Sequence, residues 1–497
     1  MEKVSSQLDY SKVLSSHPTY ALSRILPLSG SQDTTITAAG GNETIFEIPS
    51  KVYNFSRSRL DFTLNIPRSN AGGDNFTYVF KDAIGPIRQM QLYTRAGLYL
   101  CDIPYFNNYT KIARKPFTSL KDFLDLDILY SGGSLPGGKN SSVGSFLQRN
   151  NLINTEAGNS QATVTNANLK TPSKLNRRHD NSIASISYTE PQYFESSAID
   201  GANANLFFNV SIPFKEIKNC LLALDKDLYF GGEVLILRIV WDSTNKVVFN
   251  AVLNGANGGT QPATAPAQYP AAVNLEVKSM TLYMAIEKDP AIVTDIINAT
   301  ATDQGLSVLS DYIFSYKFNI GPTNNPSITL RFNRGHGRKL KFVLAAPFFT
   351  ETLNTMYDHS NVGISGAAGA LTGDGYTYGT KITSFYTLLN NNRLQEFDLV
   401  TANGDDYKYL QNHIKDSVLQ NGNIYSYNWV WIENFCGEKT IDVHPNLDCG
   451  LPLDIEQKWD IYYTCPNIAG VAPTLNHYLF GIVQRLLRIN KDGITMI

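Results

Sequence analysis

The chain has 497 residues, 43% of them hydrophobic and 17% charged, with a formal net charge of −2 at pH 7. That length exceeds one ordinary core and favours two domains. The near-neutral balance excludes a polybasic, genome-coating role, because it offers no general attraction to nucleic acid or an anionic membrane.

The first twenty residues are polar with a weak helical pattern, and read as an N-terminal arm over residues 1–21. Strand signals begin at Thr34. Residues 59–67 (RLDFTLNIP) set Leu60, Phe62, Leu64 and Ile66 on one face and Asp61, Thr63 and Asn65 on the other, the alternation of a half-buried antiparallel strand. Residues 87–100 follow, with Arg95-Ala96-Gly97 as a hairpin turn. Short helices are expected at 105–114 and 120–126. Residues 131–193 then turn rich in Gly, Asn, Ser and Thr and lose periodicity, as a long exposed excursion would. Strands resume at 206–214 and 233–241, the latter with Leu235, Leu237, Ile239 and Trp241 on one face. A second loop, 254–270, precedes a strand at 274–286. Asp289-Pro290 then starts a helix running to Ile297. Asp caps a helix N-terminus, and Pro suits the first helical position because its missing N–H would have no partner there.

Beyond Ser307 the layout repeats, with strands at 327–332, 339–344, 395–400, 424–432 and 478–489 and one Gly-rich excursion at 358–380. The expected fold class is all-β: two tandem eight-stranded jelly-roll sandwiches with long loops and a few short helices. The expected divisions are 1–21 arm, 22–289 first jelly roll, 290–306 connecting helix and linker, and 307–497 second jelly roll.

No catalytic, cofactor-binding or metal-ligating residue is assigned. Residues 133–140 (GSLPGGKN) fall short of a phosphate-binding loop, since Asn140 stands where a hydroxyl residue should and no helix follows. Asp122, Asp125 and Asp127, and the pair Asp405 and Asp406, suit turns and helix surfaces better than a glycosidase cleft. His17, His179, His336, His359, His413, His444 and His477 lack metal spacing, and His179 and His336 read as solvated loop residues. The basic run Lys174, Arg177, Arg178 and His179 has no interleaved aromatics, so it reads as a surface contact. Tyr425, Tyr427, Trp429 and Trp431 alternate along one strand and read as a buried face before a stacking platform. Cys101, Cys220, Cys436, Cys449 and Cys465 never stand in C-x-x-C spacing and read as buried thiols. The opening MEKVSSQLDYSK lacks a signal-peptide core and no stretch approaches the roughly 18–20 apolar residues of a membrane span, so synthesis and retention in the cytosol are expected.

Five stretches carry a family resemblance, in order: 211–241 (SIPFKEIKNCLLALDKDLYFGGEVLILRIVW), 275–297, 330–344 (LRFNRGHGRKLKFVL), 393–432 and 478–494. Together they resemble the double jelly-roll major capsid proteins of the adenovirus-hexon-like lineage, most of all those of nucleocytoplasmic large DNA viruses, virophages and polinton-like viruses. Lys288-Asp289-Pro290 stands where that family usually carries a run of Arg. The resemblance implies a homotrimeric, pseudo-hexagonal capsomer of an icosahedral double-stranded DNA virus shell, located in the virion and assembled inside the host cell. It implies as partners the neighbouring capsomers, penton and minor capsid proteins, and an internal membrane met by the N-terminal arm. It implies no cofactor, no enzymatic activity and no specific nucleic-acid binding. The competing readings are a viral fibre or carbohydrate-binding β-sandwich module, and a β-sandwich glycoside hydrolase.

Overall fold

The computed structural model describes residues 20–66, 75–79, 86–119, 192–195, 206–244, 248–252, 267–268, 274–349, 382–401, 404–417, 430–465 and 475–497. Among them every strand pairing is antiparallel. The pairings within 20–287 and those within 306–497 never cross from one set to the other.

In the first set, a six-stranded sheet centres on Tyr53–Ile66 and Leu275–Glu287, flanked by Tyr20–Ile25, Asp227–Leu228, Thr34–Ile36 and Leu206–Pro213. A four-stranded sheet of Glu43–Ile48, Leu235–Trp241, Ile87–Thr94 and Tyr99–Ile103 packs against it. The alternation read from the sequence is the reason. Leu235, Leu237, Ile239 and Trp241 are all buried, and so are Leu60, Phe62 and Leu64 on the facing sheet. The sheets meet where Phe62 lies edge-on to Trp241, 5.6 Å between ring centroids. The indole N–H of Trp241 donates to Thr44 Oγ1 at 3.0 Å, which satisfies the one polar atom this side chain buries.

In the second set, Leu306–Ile320, Leu475–Asn490, Lys339–Phe349 and Trp431–Asn434 form one sheet, extended by Leu451–Pro452 and Gly493–Met496. All fifteen residues of Leu306–Ile320 pair with Leu475–Asn490, from Leu306 opposite Ile489 to Ile320 opposite Leu475. Ser327–Phe332, Gln457–Thr464, Ser384–Leu389, Asn392–Arg393 and Leu399–Val400 form the facing sheet. Here the sheets approach closely: a Cβ on Gly481 would lie 2.4 Å from the Phe332 ring. Gly481 therefore leaves the space that Phe332 fills.

The expected helix is present as Pro290–Thr300, three residues longer than read, with Asp289 Oδ1 accepting from Ala291 N–H at 2.9 Å. The hairpin turn is present too, with Gly97 at φ +92°. Three strand readings change. Of residues 395–400 only Leu399–Val400 is a strand. Gln395 instead turns inward, its amide oxygen accepting from Thr387 N–H at 2.9 Å and so standing in for a ladder carbonyl. Ser384–Leu389 and Gln457–Thr464, which the sequence reading did not separate, are full partners in the second sandwich. Asn75–Val79, Gln192–Glu195, Val248–Val252 and Ala267–Gln268 form a small separate sheet that includes the ends of both first-half excursions. Residues 120–191, which hold nearly all of the first long excursion, and 350–381 lie outside the described residues.

Candidate functional site

The two sandwiches are joined by more than their linker. Helix α1, Phe106–Phe117, belongs to the first set and packs on the second. Three aromatic pairs span the joint edge-on: Tyr105 with Tyr478 at 5.3 Å, Tyr109 with Phe480 at 5.2 Å, and Phe117 with Phe342 at 4.9 Å. Tyr109 is fully buried. Its hydroxyl donates to Lys218 O at 2.7 Å and accepts from Asn219 Nδ2 at 3.2 Å, and burial pushes its phenol well above the ordinary value. The last turn of a helix leaves carbonyls without partners. That of Pro116 is met by the Thr440 hydroxyl of the second half. An isolated bridge between Ser119 and Ser417 continues the contact. One cluster of buried apolar residues thus runs through both halves.

The second sandwich buries ionisable groups, of which the sequence reading named only His477. Lys341 and Asp311 are both fully buried and pair at 2.9 and 3.0 Å, while Lys341 also donates to His444 O at 2.9 Å. Burial drives the Asp311 carboxyl up to about 7, against the pull of Lys341. Glu433 Oε2 accepts from Thr387 Oγ1 at 2.9 Å, Trp431 Nε1 at 3.2 Å and Trp459 Nε1 at 3.4 Å. Burial nevertheless raises its pKa. His477 is held down to about 3 by burial, with Nε2 2.6 Å from the Tyr463 hydroxyl. Each is a group locked into a core among strands, and Trp431 is a core residue with its N–H satisfied there.

The singled-out residues are not drawn together. Asp405 Oδ2 accepts from Val400 N–H at 3.2 Å and Oδ1 meets Lys408 at 3.4 Å, while Asp406 is buried beside it at the start of the short helix Asp405–Leu410. That is a turn anchor. The reading of His336 as solvated changes: its ring packs on Phe314 at 4.8 Å and Phe332 at 5.6 Å, and burial lowers its pKa. His413 is half-buried near Asn434. Cys101, Cys220 and Cys465 are buried as read, but Cys436 and Cys449 are only half-buried. His17, Asp122, Asp125, Asp127, residues 133–140, Lys174, Arg177, Arg178, His179, His359, Tyr425, Tyr427 and Trp429 lie outside the described residues. Among the described residues no group of three or more His, Cys, Asp or Glu could hold a metal ion, and no helix is long and apolar enough to cross a membrane.

No protein-family model matches the chain, and no curated protein matches it by sequence. Solved structures do. PBCV-1 VP54, in a crystal structure fitted into a cryo-EM reconstruction of the virophage Sputnik, aligns with a TM-score of 0.53 at 11% identity over 98% of each chain. The Faustovirus major capsid protein aligns with a TM-score of 0.53 at 10% identity, over 96% of this chain and 92% of that one. The quasi-atomic model of the PBCV-1 virus capsid gives 0.50 at 13% identity over 98% of both chains. At such identities the likeness is one of fold, and it extends through both sandwiches and the joint between them. The chain has the double jelly-roll fold that these viral capsid proteins share.

Proposed function

We propose that this chain is a viral major capsid protein, a structural subunit of the virion that trimerises into pseudo-hexagonal capsomers of an icosahedral shell. The observation that carries the reading is the end-to-end match, 98% of both chains, with PBCV-1 VP54. The joint supports it, since a shell subunit must transmit load between its two sandwiches without hinging. So do the large apolar side chains left open to solvent, which association would cover. Leu22, Leu26 and Leu28 are 50%, 44% and 58% exposed within one short run, and Phe397 and Ile455 reach 60% and 75%.

The division proposed with it is 1–21 arm, 22–289 first jelly roll, 290–306 connection and 307–497 second jelly roll. Strand pairings confined to 20–287 and to 306–497 support the split into two halves, with Tyr20 and Ala21 already paired in the first and Leu306 in the second. Its partners are two further copies, neighbouring capsomers, penton and minor capsid proteins, and an internal membrane reached by the arm. Its role is structural and not enzymatic, with no cofactor and no specific nucleic-acid binding. Light scattering on the purified chain tests the first step. A closed trimer has a mass of roughly three times 55.1 kDa. A monomer that persists at micromolar concentration and never assembles would overturn the reading.

A second reading, a viral fibre or carbohydrate-binding module, draws support from one feature. Tyr386 and Tyr462 stack on neighbouring strands, 5.0 Å apart and 10° from parallel, with Arg393 lying 4.1 Å over Tyr386. Both tyrosines are half-exposed. A glycan array probed with the wild type and with Tyr386→Ala separates the two readings, the capsid reading expecting no difference between them.

A further inference from the structure

Each half brings one pair of thiols into contact, and the two pairs differ in access. Cys101 and Cys220 interact in the first sandwich, where they are 2% and 1% exposed. Cys436 and Cys449 interact in the second, and both remain half-buried.

The backbone brings Cys436 and Cys449 together at one point on strand Lys339–Phe349. One edge of that strand is taken by Leu475–Asn490. Along its other edge run Trp431–Asn434, with Asn434 opposite Phe342, and Leu451–Pro452, with Leu451 opposite Leu340. The two segments therefore converge on Lys341. Cys436 leaves the first of them: Phe435 N–H donates to Lys341 O at 3.0 Å, Cys436 N–H donates to Asn434 Oδ1 at 2.9 Å, and Cys436 Sγ lies 3.9 Å from Lys341 O. Cys449 enters the second. The next residue, Gly450, sits at φ +110° so close to the strand that an added Cβ would lie 2.5 Å from Leu340 O. Residues 437–448 thus form a loop whose two ends are each pinned to the strand and carry a thiol.

The two sulfurs are chemically unequal. Their interaction raises the Cys436 thiol and holds the Cys449 thiol below its ordinary value against the pull of burial, and the cations of Lys341 and Lys339 lower Cys449 further. A thiolate is the attacking form in disulfide exchange.

We propose that Cys436 and Cys449 form a reversible intramolecular disulfide that closes the 437–448 loop, with a small-molecule disulfide such as oxidised glutathione as the oxidant. The Cys449 thiolate attacks one oxidant sulfur, the oxidant S–S bond breaks, and one small thiol leaves. Cys436 then gives its proton to solvent, attacks Cys449 Sγ and expels the second small thiol. Two protein thiols are oxidised, and one small disulfide is reduced to two thiols.

The experiment treats the folded full-length protein with oxidised glutathione, traps remaining thiols with iodoacetamide, and maps peptides by mass spectrometry without reduction. The expected result is a Cys436–Cys449 linked peptide lighter by two hydrogen atoms than the reduced pair, while Cys101 and Cys220 stay reduced. Dithiothreitol restores both thiols. In Cys436→Ser a single glutathione accumulates on Cys449, because the resolving thiol is gone. The wild type alone decides the matter, whatever the variant's stability. The proposal is overturned if both thiols remain open to alkylation after oxidation. It is equally overturned if they end as two separate glutathione adducts.

Discussion

The two sandwiches close their sheets with different chemistry. The first meets across Trp241 and Phe62, two rings with a single polar atom to satisfy. The carboxylates it buries lie at strand ends or in the turn after one: Asp227 accepts from Tyr20 Oη at 2.9 Å and Asn54 Nδ2 at 3.0 Å, Glu287 accepts from the backbone N–H of Lys288 and Asp289, and Glu216 pairs with Lys218 at 3.1 Å. The second places Lys341, Asp311, Glu433 and His477 within its core. An apolar contact loses stability in proportion to the area removed, whereas a buried ion depends on one partner that must remain. The second half should therefore be the sensitive one, both to single charge removals and to pH.

The largest effect is expected at the buried pair. Asp311→Leu leaves Lys341 buried without its counter-ion and should cost about 3–5 kcal/mol, whereas adding Lys341→Met should recover most of that loss. Denaturant titration of the single and double variants checks this. If the double variant is no better than the single one, the loss lies in packing instead of charge. Next is the close approach of the sheets. Gly481→Ala drives a methyl group into the Phe332 ring and should cost about 1–3 kcal/mol, read as a fall in Tm.

The pH effect is comparable and has a definite sign. His477 has a folded pKa of about 3 against 6.5 unfolded, so its contribution is complete above pH 6.5 and is lost as pH falls toward 3. Asp311, raised to about 7 from 3.8, runs the other way: its contribution is complete below pH 3.8 and fades as pH rises to 7. The difference between wild type and His477→Gln isolates the histidine. Between pH 7 and pH 5 the wild type should lose about 2 kcal/mol relative to the variant. Parallel pH profiles for the two proteins would show that His477 does not titrate as described. The smallest effect belongs to the linker, where Asp289→Ala removes a helix cap and should cost about 1 kcal/mol without touching either core.

What the sequence made legible was local. Asp289 and Pro290 mark a helix start by their own side chains, and the alternation of Leu235, Leu237, Ile239 and Trp241 predicts which face is buried. Non-local facts were not legible. Lys341 interrupts the pairing of Leu340 with Val483 and Phe342 with Ile482, a bulge that accompanies the turn of an apparently outward lysine into the core. No periodicity rule sees a bulge. In the small third sheet Asn75–Val79 pairs only with segments far away in the chain, Gln192–Glu195 and Val248–Val252, so its short sequence carries little signal alone. Helix α1 was readable as a helix, but its part in the joint came from Phe117 meeting Phe342, 225 positions further on. The thiol contact of Cys436 with Cys449 likewise depends on two segments meeting at Lys341.

The central claim, that this double jelly roll is built to assemble a shell, is tested most directly by electron microscopy of the purified full-length protein. The account predicts three-fold particles that pack into hexagonal arrays or closed shells. Dispersed single-chain particles at every concentration tried would contradict it.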